Sequence, residues 1–227
     1  MRAPRVDIIS IGCLSRNRLW NESEAARTAH ATTSLIRAAG RTILVDPGLP
    51  AAVLAARLNE RTGLLPEAVD TVFLTNFRLA HRRGIDGFPK ARWLIHEKEL
   101  DFERQRLQKM RDESPESDED HRYFAVELEL LDRFEPAEDR LAEGIDLFPL
   151  PGYTPGTCGI LVASATLSIL IAGDAVPTLD HFLAGQALPD SANIRDAHEA
   201  MREVYEIADV IVPGHDNLFV NPRMIGA

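Results

Sequence analysis

Apolar residues fall along this chain in two alternating periods. Val6 to Ile11 alternates in the manner of a strand, with Gly12-Cys13 as its exit. Arg16 to Arg27 is polar and reads as a loop, after which the β-rich run Ala29 to Ile36, the Ala39-Gly40-Arg41 turn and Thr42 to Val45 predict a hairpin. From Pro50 to Arg61 the period lengthens. Val53, Leu54 and Leu58 stand at helical spacing among alanines, the strongest helix formers. Val72-Phe73-Leu74 is then a short strand ending at Thr75, followed by a polar turn, a short helix and a strand at Trp93-Leu94-Ile95. Glu97 to about Arg111 has helical character, with a Pro/Ser/Asp-rich tract beyond it, and Val126 to Phe134 is acidic and apolar by turns. A strand pair around Glu143-Gly144 lies within Asp139 to Phe148. Strands follow at Ile160 to Ala163 and Leu167 to Ile171. A helix from about Asn193 places Ala197, Met201, Val204 and Ile207 on one face, and Val210 to Val212 runs as a strand into Pro213-Gly214. Hairpins in both halves, helices between strands and polar residues just after strand ends predict a layered α/β protein.

Composition narrows this picture. At 227 residues, 45% hydrophobic and 26% charged, the chain is long enough for one full core, so residues 1–227 read as a single soluble domain. The dense charge from about 97 to 120 reads as a helical insertion with a solvated face. A formal net charge of −10, from 35 acidic against 25 basic residues, repels phosphate backbones and argues against a nucleic-acid partner. Cys13 and Cys158 lie far apart without metal-knuckle spacing, as free thiols of a reducing compartment do. The N-terminal apolar run is too short for a signal peptide and nowhere do about 18 apolar residues run together, so the expectation is a cytoplasmic protein with no membrane partner. The partner expected is a small-molecule substrate; the oligomeric state stays open.

Candidate chemistry collects in short segments that end strands: Val45-Asp46-Pro47-Gly48, Thr75-Asn76-Phe77-Arg78-Leu79-Ala80-His81, Pro151-Gly152-Tyr153-Thr154-Pro155-Gly156, Gly173-Asp174 and Pro213-Gly214-His215. In order and spacing these resemble the recurring segments of the metallo-β-lactamase-fold superfamily, in particular its glyoxalase II-like metallohydrolases, over almost the whole chain from Val6 to about Val220. The resemblance implies a four-layer αββα sandwich with a metal site in loops at one edge. It also marks this chain as divergent. Where the family pattern reads His, His, Asp, His, the chain has Asn76, Arg78, Ala80 and His81, and Tyr153 stands where the family presents another His.

By that resemblance, the first metal site has lost its three imidazoles, since Asn76 offers only an amide oxygen and Arg78 has no lone pair. The second site keeps His81, Asp174 and His215 and loses one ligand at Ala80. Two imidazoles and a carboxylate can hold one divalent metal, zinc or iron, with an open position for catalysis. The alternative is that the three residues persist as a hydrogen-bonded set with no metal. Asp174, Arg78 and Tyr153 are the expected catalytic groups. Asn76, His30 and His181 are expected to touch substrate, and Asp46 to orient the metal-binding loop from behind or to cap its own turn. Arg78 is expected to point into the cleft and to meet an anion or Asp174. His96, His121 and His198 are expected to be solvated. The function implied is hydrolysis of an ester, thioester, amide or phosphoester at a reduced, at most mononuclear site; the alternative is a metal-free, non-catalytic binding protein that keeps the fold.

Overall fold

The computed structural model describes residues 3–225. Within them, β1 (Arg5–Ser10), β2 (Thr33–Ala38), β3 (Arg41–Val45), β4 (Thr71–Leu74), β5 (Arg92–Ile95) and β6 (Glu135–Pro136) form one sheet in chain order. Its first three strands are antiparallel and the rest run parallel. The second sheet has the order β12 (Phe219–Val220), β11 (Val210–Pro213), β10 (Ser168–Gly173), β9 (Cys158–Ala163), β8 (Ile145–Pro149), β7 (Arg140–Ala142). Only its β10–β11 pair is parallel. The helices are α1 (Ala51–Thr62), the one-turn α2 (Leu79–Arg82), α3 (Glu97–Glu113), α4 (Glu119–Leu131), α5 (Leu179–Ala184) and α6 (Ile194–Ile207).

Side-chain alternation along the strands assembles four layers. Ile43 and Val45 of β3, with Phe73 and Leu94, point between the sheets and meet Ile160, Ile171 and Val212 of the second sheet. Leu44, Val72 and Leu74 point the other way, onto Leu54 and Leu58 of α1 and onto Leu107, Phe124, Leu128 and Leu131 of α3 and α4. On the far side, Leu170 and Ile211 pack against Met201 and Val204 of α6. Each such aliphatic side chain contributes roughly 1.5–3 kcal/mol by leaving water. The αββα sandwich expected from the sequence is therefore the one observed.

The β2–β3 hairpin closes through Ala39 at φ 49° and Gly40 at φ 79°, the paired positive dihedrals of the turn whose twist suits two strands. The charged stretch departs from expectation. Helix α3 runs on to Glu113, and α4 takes up the acidic and apolar residues as far as Leu131. The face expected to be solvated is not uniformly so, for Glu99 and Glu103 are fully buried. They are four residues apart, hence on one side of α3, and that side is turned towards the Tyr153–Gly156 turn. The approach is so close that a Cβ on Gly156 would stand 2.0 Å from the Glu99 nitrogen. No helix of the described residues is long and apolar enough to cross a membrane.

Candidate metal centre and cavity

Four strand ends converge to build the site. After β3 the chain turns at Asp46, which takes a left-handed φ of 52° and aims its carboxylate across the sheet. Thr75, just past β4, donates to it twice: the backbone N–H at 2.9 Å and the hydroxyl at 2.7 Å. Asp46 thus braces the neighbouring segment from behind rather than capping its own turn. It also lies 3.0 Å from Nδ1 of His81, which the single turn of α2 carries inwards. From the second sheet, β10 delivers Asp174 through Gly173, at φ 54° and so close to Thr75 that a Cβ would lie 2.4 Å from its hydroxyl. His215 follows β11 through Gly214, where a Cβ would stand 2.9 Å from Asp174 Oδ1. The Gly-Asp and Pro-Gly-His pairs are therefore steric necessities of bringing these side chains together.

His81 Nε2 is 2.9 Å from Asp174 Oδ2, and His215 Nε2 is 2.9 Å from Asp174 Oδ1. All three residues are buried, and their ligand atoms lie within 4.8 Å of one another. The far nitrogens are already engaged. His81 Nδ1 faces Asp46, and His215 Nδ1 faces the carbonyl oxygens of His30 at 3.0 Å and Cys13 at 3.2 Å. Those acceptors fix the proton of each neutral ring on Nδ1, which leaves both Nε2 lone pairs turned on the same carboxylate. Lone pair against lone pair is repulsive unless a cation or extra protons intervene. The contact at Oδ1 forms no hydrogen bond despite its length, so Oδ1 is a buried oxygen without a partner. Two imidazoles, a carboxylate and an orphaned buried oxygen fit a divalent cation such as zinc or iron, with a further position left open.

Without a cation, protons take its place. Burial disfavours a charged His81, but Asp174 and Asp46 outweigh it and push its pKa up to about 10. Asp174 is likewise opposed by burial, yet His81 and His215 hold its carboxyl well below the usual range.

The other half of the site is built differently. Asn76 is fully buried and donates from its amide to Asp174 Oδ2 at 2.9 Å while accepting from the Arg78 backbone N–H at 3.0 Å. It does not line the cavity, so the expectation that it touches substrate is corrected: it is a strut behind Asp174. Arg78 does line the cavity, as expected, but its carboxylate neighbour is Glu103, 3.8 Å away, and not Asp174, one of the two partners expected. Its guanidinium stands 5.8 Å from the centre of the Tyr153 ring. Burial, with Asp174 nearby, raises the Tyr153 phenol above its ordinary pKa and keeps it protonated. Behind both, Glu99 accepts from the Phe77 N–H at 3.0 Å and bonds the Thr154 hydroxyl, and burial pushes it up to about 7.

A cavity of about 480 Å³ opens over these groups, and His81, Asp174, His215, Arg78, Tyr153 and His181 all reach it. His181 is held by Thr178, 2.8 Å from its Nδ1, and burial lowers its pKa. His30 is not among the lining residues: its ring nitrogens face the carbonyls of Ile11 at 3.2 Å and Thr28 at 3.3 Å, and only its own carbonyl serves the site. Of the histidines expected to be solvated, His198 is exposed on α6. His96 caps α3 by accepting from the Lys98 N–H, and His121 faces the carbonyls of Arg111 and Ser114. Sequence reasoning missed Arg16 and Arg18, which also line the cavity from the segment after β1, and Glu99 and Glu103. That segment carried no signal beyond polarity. The spacing of the two acids along α3 was visible, but nothing in a charge run distinguishes a buried pair from a solvated one.

The metallo-β-lactamase superfamily model matches residues 27–215. No curated protein matches the chain. Among solved structures, a metallo-β-lactamase candidate from Thermotoga maritima aligns with a TM-score of 0.68 at 16% identity, covering 96% of this chain and 100% of that one. A metal-dependent hydrolase candidate from Staphylococcus aureus gives 0.68 at 15%, covering 95% and 91%. AidC, a dizinc quorum-quenching lactonase solved with an N-acyl-L-homoserine product, gives 0.65 at 14%, covering 84% and 74%. At such identities the structural likeness establishes the fold.

Proposed function

This chain belongs to the metallo-β-lactamase superfamily, and we propose that within it the protein is a hydrolase working with a single divalent cation held by His81, Asp174 and His215. The observation that carries the proposal is the gathering of His81 Nε2, His215 Nε2 and an unpartnered Asp174 oxygen within 4.8 Å of one another. When bound, zinc or iron supplies Lewis-acid polarisation and activation of water. Asp46 keeps the His81 proton on Nδ1, the His30 and Cys13 carbonyls do the same for His215, and Asn76 fixes the rotation of Asp174. Arg78 offers a permanent positive charge, and the Tyr153 phenol a donor, to oxygen atoms of a substrate in the cavity. The bond cleaved is an ester, lactone, thioester, amide or phosphoester. That the lactonase AidC shares the fold supports the acyl end of this range.

Positions 76, 78 and 153 give no imidazole, which is why we propose one cation and not two. A second reading, a metal-free binding protein, is favoured by one observation: a His81 imidazolium, stabilised by Asp174 and Asp46, would satisfy Asp174 Oδ2 without a cation. Elemental analysis of protein purified without added metal separates the two. The expected result is no more than about one metal per chain, released by His215→Ala and retained in the exposed-site control His198→Ala. Two tightly held metals would refute the single-site proposal. No metal, even after zinc is offered, would leave the binding protein standing.

A further inference from the structure

We infer that the half of the cavity framed by Arg78, Arg16 and Arg18 is a receptor for an anionic group, carboxylate or phosphate, carried by the ligand. This names the substrate class of the hydrolase proposed above, and calling that ligand a substrate rests on that proposal. The first ground is the state of Arg78. Its side chain is 36% exposed, and the carboxylate oxygen closest to it, Glu103 Oε1, is 3.8 Å away, too far for a hydrogen bond. Glu103 is fully buried, gives its other oxygen to Arg106 at 2.6 Å and leaves Oε1 without a partner. Charge is therefore balanced from behind while the guanidinium fork keeps its donors for the cavity. Burial works against the charged form of Arg78, but Glu103 together with Tyr153 and Glu99 outweighs it, so the cation is permanent.

The second ground is the rest of the lining. Arg16 and Arg18 line the same cavity; Arg16 is steadied by donating to the Ser23 carbonyl at 2.9 Å, and Arg18 is exposed. Three guanidiniums around one opening run against a molecule of net charge −10. The acids lining the same cavity are Asp174 and Asp190. A planar fork of N–H donors matches the two oxygens of a carboxylate or a phosphate, and charge-assisted bonds of this kind are about twice as strong as neutral ones. The cavity is of a size that takes a small molecule.

Calorimetric titration of the full chain with inorganic phosphate and with succinate, after chelation and again with zinc or iron added, tests the assignment. Chelated wild-type protein should bind at least one of these anions, and which one binds tells phosphate from carboxylate. Arg78→Met should weaken that binding by about tenfold or more, and Arg78→Lys by less. Arg18→Gln, at an exposed position, should weaken it severalfold and keeps the test decisive should Arg78→Met misfold. Wild-type protein that takes neither anion, or variants that bind as tightly as wild type, would overturn the inference. Phosphate bound only with zinc and indifferent to both arginines would overturn it and spare the hydrolase. Arginine-dependent binding in a protein that takes neither zinc nor iron would sink the hydrolase and leave the receptor.

Discussion

Asp46→Asn isolates the role of the carboxylate behind the site. The left-handed φ of 52° at this position is one that asparagine adopts more readily than most residues, so the backbone should not move. The amide oxygen can still accept the Thr75 N–H, and the Thr75 hydroxyl can turn round to accept. His81 has no such remedy. Its Nδ1, 3.0 Å from the carboxylate, would face an NH₂ group, so the ring is driven to carry its proton on Nε2, towards Asp174. Loss of one buried charge-assisted contact costs about 2.5 kcal/mol. For a chain of this length that lowers the melting temperature by roughly 5–10 °C. Zinc affinity should fall about 10–100-fold, because the lone pair that binds metal now holds a proton. Thermal unfolding followed by circular dichroism in chelator and a zinc competition titration measure the two effects separately. A variant that melts with wild type and keeps zinc affinity within about twofold would show that Asp46 does not set the tautomer.

Further expectations rest on the buried acids of α3 and on Ala80. Glu99 has a folded pKa of about 7 against an ordinary 4.5, so between those values the native state holds a proton that the unfolded chain has released. Stability should thus fall by about 3 kcal/mol as pH rises through that window and level off above it. In urea unfolding, Glu99→Gln should remove that slope, and an unchanged slope would contradict the assignment. Ala80 lines the cavity beside His81, so Ala80→Asp should raise zinc affinity by about tenfold or more in the same competition assay, through an added carboxylate ligand. Restoring Asn76→His, Arg78→His, Ala80→Asp and Tyr153→His together should lower stability by roughly 1–3 kcal/mol, since Glu103 keeps only Arg106 as partner. Adding Glu103→Gln should recover it; if it does not, the loss has another source.

Periodicity made most of the architecture legible. β3 shows why: Ile43, Leu44 and Val45 alternate between two different cores, and alternation is what a sequence displays. The glycines that let Asp174 and His215 approach were equally visible, because close backbone contact demands a particular residue type. Partnership was not visible. Asn76 and His30 looked like residues of a cleft, yet the first is used up by Asp174 and Arg78 and the second by backbone carbonyls, and a sequence does not say which way a polar side chain turns. Glu99 and Glu103 failed for a related reason. Burial of an acid is decided by what stands opposite, here the 153–156 turn and Arg78, residues distant along the chain.

The departures at 76, 78 and 153 are coupled to that helix, and this bears on whether they are decay. Burying two carboxylates costs several kcal/mol each unless positive charge and donors accompany them. Decay of a metal site would leave such groups stranded. Here Glu99 has the Phe77 N–H and the Thr154 hydroxyl, Glu103 has Arg106 and the longer reach of Arg78, and Asn76 links Asp174 to the Arg78 backbone. Among the described residues five buried side-chain polar atoms lack a partner, and two of them, Asp174 Oδ1 and Glu103 Oε1, belong to this site. They mark its two halves. The first oxygen lies among imidazole lone pairs and calls for a cation; the second lies behind a guanidinium and holds that cation in place for something negative. A site that needs an added cation on one side and carries a built-in one on the other suits a ligand whose anionic group rests on Arg78 while its scissile bond reaches Asp174. Removing the built-in cation, by restoring imidazoles without neutralising Glu103, should therefore strand Glu103 and weaken the anion-binding half.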